Sequence, residues 1–287
     1  MQPFRGIAFK IASVCIFVAM ASLIKATSEH VPPGQAVFFR SFFAIPVIIV
    51  WLAVRKELGS GLKTDNPMGH LWRGLIGTTA MGLGFAGLGL LPLPEVTAIG
   101  YAAPLLVVVF AAMFLNENVR LFRLSSVALG MIGVMIVLSP RLSVGADLST
   151  RETLGAVVVL GSAIFAALAQ VFVRKLVQTE GTAAIVFWFS VTATCLSLLT
   201  IFWGWVWPSP TEAVFLILAG FLGGTGQILL TTSYRHADAS LIAPFEYTSM
   251  LLAIGVGFFV FDEVPTTTMM IGAAIIIAAG VAIILRE

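Results

Sequence analysis

Two full charges stand where apolar sequence surrounds them. Arg40 interrupts AVFFRSFFAI (36–45), and Glu246 interrupts ADASLIAPFEYTSM (237–250). A buried guanidinium or carboxylate binds a charged or polar solute, carries a proton, or locks two helices together. Ionisable groups inside apolar segments mark such pathways more often than they mark packing. Arg40 lies six residues beyond Gly34, about 9 Å into its segment at 1.5 Å per residue. Glu246 lies at a similar distance from the opposite end of its own segment, so roughly 10 Å separates the two along a ~30 Å apolar layer. Lys10 sits at nearly the depth of Glu246 and is the better candidate for direct pairing. Arg40 would complete the set through Lys10, water or a bound solute, or else snorkel towards the surface. Tyr101 and Tyr247 each offer a stacking face and a hydroxyl, and Gln227 offers an amide in mid-segment. Arg40, Tyr101, Gln227, Glu246 and Tyr247 are therefore the candidate binding residues, with Lys10 as charge partner.

Other chemistry finds no support in the residues. No HExxH, GxSxG or nucleotide-binding P-loop occurs, and His30, His70 and His236 lie near different segment ends. Neither an enzyme nor a resident metal or cofactor is expected. Cys15 and Cys195 each sit in an apolar run and are expected to pack as small hydrophobes. Glu117 and Glu263 fall at segment ends as interfacial anchors, while Glu95, Glu152 and Glu212 begin segments, where a carboxylate suits the helix dipole.

The elements that must position these groups follow from composition. The chain has 287 residues, 59% hydrophobic and 10% charged, with a net charge of +2. A soluble domain carries roughly 25% charged residues. The natural solvent is a lipid bilayer, and no basic patch points to nucleic acid. A helix needs about 20 apolar residues to cross a bilayer. Ten segments fit: 4–26, 34–54, 70–90, 94–115, 121–138, 153–174, 182–205, 212–234, 239–261 and 266–285. Proline-rich links, such as Pro92-Leu93-Pro94 and Pro208-Ser209-Pro210, separate several of them. The first segment resembles a secretory leader but is expected to be retained, because it has a counterpart later in the chain.

That counterpart belongs to an internal repeat. At an offset of about 149, VFFRSFFA (37–44) falls on VFWFSVTA (186–193), Ser13 meets Ser162, and Arg40 meets Phe189. At about 146, Gly74 and Gly77 meet Gly220 and Gly223, and Tyr101 meets Tyr247. One residue further, Gly133 meets Gly280. Five segments per half make the second half enter the membrane in the opposite sense. The expected fold is an all-α integral membrane protein, ten transmembrane helices in two inverted five-helix repeats, 1–140 and 150–287. Inverted repeats are the build of many secondary transporters. Most lysines and arginines, Lys10 and Arg73 among them, fall on one side if both termini are cytoplasmic. Lys25, Arg141 and Arg151 fall on the other, and Arg40 within the layer.

The glycine-rich third and eighth segments, and the runs APLLVVVFAAMFLNENV (103–119) and YTSMLLAIGVGFFVFDEV (247–264), each closing on a glutamate, resemble the drug/metabolite transporter superfamily in its EamA-type form. FFRSFFA, HLWRGL (70–75) and ADASLIAPFEYTSM resemble a bacterial branch that includes riboflavin and S-adenosylmethionine uptake carriers. Met250 departs from the pattern, standing where the first repeat has Pro104, so the ninth segment is expected to bend less than the fourth. The resemblance implies a multi-pass protein of the bacterial inner membrane that moves a small polar metabolite by alternating access. Uptake of riboflavin or a similar heteroaromatic is the leading expectation. S-adenosylmethionine transport, export of amino acids or other metabolites, and a scaffold role are the alternatives. The expected partners are a small-molecule substrate and the lipid bilayer, with a homodimer left open.

Overall fold

The computed structural model describes residues 3–59, 61–115, 121–142, 150–236 and 243–285. Glu117 and Arg286 lie outside them. Helices fill the described residues: α1 (Pro3–Thr27), α2 (Pro33–Phe42), α3 (Ala44–Val54), α4 (Pro67–Leu88), α5 (Leu93–Gly100), α6 (Ala102–Leu115), α7 (Leu121–Leu142), α8 (Thr150–Leu176), α9 (Thr182–Leu198), α10 (Pro210–His236), α11 (Thr248–Phe261) and α12 (Thr267–Leu285). Short 3₁₀ stretches, Leu199–Trp203 and Ala243–Tyr247, follow α9 and precede α11. Helical residues fall in every one of the ten apolar segments. Six spans are long and apolar enough to cross a membrane, and Leu124–Pro140, Phe245–Phe261 and Thr267–Ala282 are shorter apolar helices. Helix α4, with His70, Arg73 and many glycines, is in neither group. The exterior is apolar: Phe202 is 85% exposed, Phe259 83% and Leu251 73%. Such a surface suits lipid rather than water.

Prolines start and break these helices for one reason, the missing N–H. Pro33, Pro67 and Pro210 occupy first turns, where that N–H would bond nothing. Pro46 and Pro104 fall just after the interruptions at Phe43 and Tyr101, where each removes a bond back to the preceding turn. The ninth segment was expected to bend less for want of a proline at 250. It is interrupted all the same, at Tyr247, where a 3₁₀ stretch opening Ala243-Pro244 meets α11.

Packing runs along three long seams: α1 against α10, α4 against α8, and α7 against α12. Small residues let backbones approach there. Ser162 donates to the Ala80 carbonyl at 2.7 Å, tying α8 to α4. Three buried apolar clusters fill the interior, the largest around Ile99, Leu105, Val134 and Ile276. Cys15 and Cys195 are free and exposed, not packed inside. A thiol is apolar enough for the lipid-facing surface, so the expected burial is not required.

Side chains stitch the two halves together at both ends. At one end Gln35 and Val206 exchange two bonds, Nε2 to the carbonyl at 2.8 Å and the amide to Oε1 at 3.1 Å. Helix α11 closes with Asp262 in the left-handed region (φ 55°) and the Glu263 amide bonded to the Gly257 carbonyl. That turn sets Glu263 beside Lys25, 2.7 Å away, and lets it accept from the Leu93 amide at 2.8 Å. Lys25 also donates to the Leu88 and Leu91 carbonyls, capping α4. Glu263 is thus an interhelical clasp as well as an end-of-helix residue.

At the other end Glu180 accepts from the Thr64 hydroxyl and the Asp65 and Asn66 amides, each at 3.0 Å. His70 Nε2 lies 3.5 Å from its second oxygen. Burial works to raise the Glu180 carboxyl, but the donors, Thr64 and Asp65 foremost, outweigh it and hold it below the usual carboxylate range. A depressed native pKa contributes stability above the unfolded value, near 4.3, that is lost as pH falls through the native value. Thermal unfolding at neutral pH and near pH 3 is therefore expected to show a larger acid loss for the wild type than for Glu180→Gln. Equal losses would mean the carboxylate contributes nothing as an anion.

Candidate functional site

Four of the sequence candidates meet where the α5–α6 break faces the start of α11. Lys10 Nζ pairs with Glu246 Oε2. The pair is lopsided: the Lys10 side chain is 2% exposed and that of Glu246 50%. Tyr101 and Tyr247 lie edge to face, centroids 5.1 Å apart at 69°. Tyr101 shares a 2.5 Å hydrogen bond with Ser249 and reaches the Glu246 carbonyl at 3.4 Å. Breaks at residues 101 and 247 put these side chains where the helix ladders are interrupted. Gly280 of α12 leaves room for the Tyr247 hydroxyl, which fills the place its Cβ would take. Gln227 is half-buried on α10, one turn from Gly223, and its carbonyl accepts from Thr231.

Arg40 is not with them. It is 4% exposed, so it does not snorkel. Gly223 faces both Arg40 and Met20, so Arg40 lies near the level of Met20 on α1. Met20 is ten residues along α1 from Lys10, about 15 Å at the helical rise. The expected set of Arg40 and Glu246 thus resolves into two separate groups. Arg40 instead faces Phe189, its repeat counterpart, with Cζ 5.5 Å from the ring centroid.

The same ring carries a second arginine. Arg73 Cζ lies 4.0 Å from the Phe189 centroid, and Arg73 is 8% exposed. The charge pattern alone placed Arg73 on the inner surface; the structure buries it. Its sequence signal was Gly77, one helical turn on. A Cβ there would collide with Arg73 Nη1, so glycine clears the path. Gly223 does the same for Arg40, whose Nε would lie 2.8 Å from an added Cβ. Among the described residues no carboxylate pairs with either arginine, and no metal-holding cluster occurs.

Two residues related by the offset touch at Tyr101–Tyr247 and at Arg40–Phe189. Both groups of polar side chains therefore sit where the first half of the chain packs against the second.

A model of the EamA-like transporter family matches residues 4–139 and again 153–286. The pseudopaline exporter CntI of Pseudomonas aeruginosa (strain UCBPP-PA14) is 28% identical over 279 residues, 97% of this chain and 95% of its own. An S-adenosylmethionine uptake transporter of Rickettsia bellii is 27% identical over 282 residues, 98% of this chain and 94% of its own. One crystal structure superposes with a TM-score of 0.69 at 20% identity, covering 96% of this chain and 95% of that one, a likeness of fold alone. Riboflavin is the cargo of neither named relative, so the leading substrate expectation gains no support, whereas the S-adenosylmethionine alternative does.

Proposed function

The chain belongs to the EamA-like transporter family, and from that premise we propose a secondary carrier that moves a small zwitterionic metabolite by alternating access. It is a multi-pass membrane transporter; mechanism, cargo and orientation are the proposal. The observation that carries it is the lopsided Lys10–Glu246 pair beside the touching tyrosines. A lysine buried with its carboxylate half exposed is a poor structural bridge but a workable ligand group. Glu246 has accessible lone pairs for a cationic centre, and the tyrosine pair offers a face for a flat ring.

Ten transmembrane helices in two inverted repeats, within 1–140 and 150–287, fit the two family matches and the contacts between offset-related residues. Both termini are placed in the cytoplasm of the bacterial inner membrane on the lysine and arginine bias. The Lys25–Glu263 clasp shields one end while Glu246 stays accessible. That asymmetry supports a conformer open towards the end that carries the N terminus.

S-adenosylmethionine is the first cargo to test, since its amino acid and adenine match a charged seam and an aromatic pair. In proteoliposomes, labelled S-adenosylmethionine is expected to show saturable flux above protein-free vesicles, with and without a proton gradient, and riboflavin none. No S-adenosylmethionine flux in either direction would refute this cargo. Export is the second reading, favoured by the likeness to the pseudopaline exporter, and the same vesicles loaded from inside test it.

A further inference from the structure

We infer that Arg40 and Arg73, set around Phe189, form an anion-binding subsite that takes the carboxylate of the cargo. The inference rests on the transporter reading only for which molecule brings that carboxylate.

The argument starts from groups left without partners. Arg40 Nε and Arg73 Nε and Nη1 are buried and meet no hydrogen-bond partner among the described residues. Both side chains stand over one phenyl ring, so their Cζ atoms are no more than about 9.5 Å apart. The ring's face attracts each cation weakly. It cannot accept several N–H bonds, and it supplies no negative charge.

Two like charges held this close in an apolar interior repel each other and forgo their hydration. An arrangement of this kind persists where a third group neutralises it. The guanidinium fork matches a carboxylate through two parallel bonds. The arginines also come from different elements, α2 and α4, and converge on Phe189 of α9, with Arg40 alone also against Gly223 of α10. An anion between them would join α2 to α4 at the place where both meet Phe189 of the second matched stretch.

The charge pattern places the subsite in a sequence of polar groups along the seam. Lys10 and Glu246 lie at the level of the 3₁₀ stretch, and Arg40 about ten residues further along α1. A cargo about 10–15 Å long with its carboxylate at the arginines would set its far end, the adenine of S-adenosylmethionine, at the tyrosine pair beside Glu246, given ~1.5 Å of rise per helical residue.

The test is ligand binding to the purified full chain in nanodiscs. The probes are S-adenosylmethionine, its decarboxylated analogue and malonate. The variants are Arg40→Gln and Arg73→Gln, with the exposed Arg55→Gln as control. Malonate at millimolar concentration is expected to raise the unfolding temperature of the wild type and of Arg55→Gln by several degrees, and to do nothing for the other two. S-adenosylmethionine is expected to bind at least tenfold more tightly than its decarboxylated analogue to the wild type, and equally to either arginine variant. Malonate stabilisation that depends on both arginines, with no S-adenosylmethionine binding, would keep the subsite and refute the cargo. Transport of S-adenosylmethionine with no preference over the decarboxylated analogue, and no arginine-dependent malonate effect, would refute the subsite and keep the carrier. A variant that fails to insert is replaced by Arg→Lys, which keeps the charge but lacks the fork and is expected to retain only part of the preference.

Discussion

Glu246→Gln is expected to cost the protein more than Lys10→Met, although the two side chains form one ion pair. The reason is their unequal exposure, 2% for Lys10 and 50% for Glu246. Removing the carboxylate leaves a buried ammonium without it, an error that costs about 3 kcal/mol at the lower edge of the range for breaking a buried pair. Removing the ammonium leaves a carboxylate that solvent already reaches, which costs about 1 kcal/mol or less. The double variant Lys10→Met/Glu246→Gln is expected to fall between them, since it removes both charges of the pair together. Thermal unfolding of the purified variants measures the order. Transport gives a different order, because Glu246 is the group placed against the cargo. Initial flux, normalised to inserted protein, is expected to fall at least about tenfold in Glu246→Gln, the effect of 1.4 kcal/mol on the limiting barrier. Equal stability losses in the two single variants, with normal flux in both, would reduce the pair to a surface contact.

Gly272→Ala is the second large effect. Helices α7 and α12 meet backbone to backbone at two glycines. A Cβ at Gly272 would lie 2.7 Å from the Gly133 carbonyl oxygen, and one at Gly133 would lie 2.9 Å from the Gly272 carbonyl oxygen. These are backbone atoms, so no rotamer change relieves the collision and the helices must separate along their seam. Overpacking of this kind costs about 2 kcal/mol. Gly82→Ala is the matched comparison, because nothing lies within 4 Å of its added Cβ. There alanine is expected to be neutral or to stabilise the helix by roughly 0.5 kcal/mol. Indistinguishable unfolding temperatures for the two variants would show that the seam is looser than described.

The sequence by itself determined the solvent and the elements. Fifty-nine per cent hydrophobic residues, broken by prolines and polar links, leave room for little but helices in lipid, and each apolar segment holds helical residues. It also paired residues at nearly constant offsets, a pairing in keeping with the two matches of one family model. Lys10 was matched to Glu246 from depth alone, since both lie a few residues from segment ends and the helical rise converts counting into height. Depth carries no azimuth, however. Counting could not say that Arg40 faces α9 and Gly223 rather than the helix that carries Glu246. Nor could it tell Arg73 from an ordinary inner-surface arginine, because a lysine or arginine near a segment end is the commonest topological marker. Only the tertiary structure decided those questions. Which side chains meet is fixed by how α2, α4, α9 and α10 rotate about their axes to seat the glycines of α4 and α10. That rotation depends on contacts between residues more than a hundred positions apart, as in Arg40 with Phe189 and Tyr101 with Tyr247.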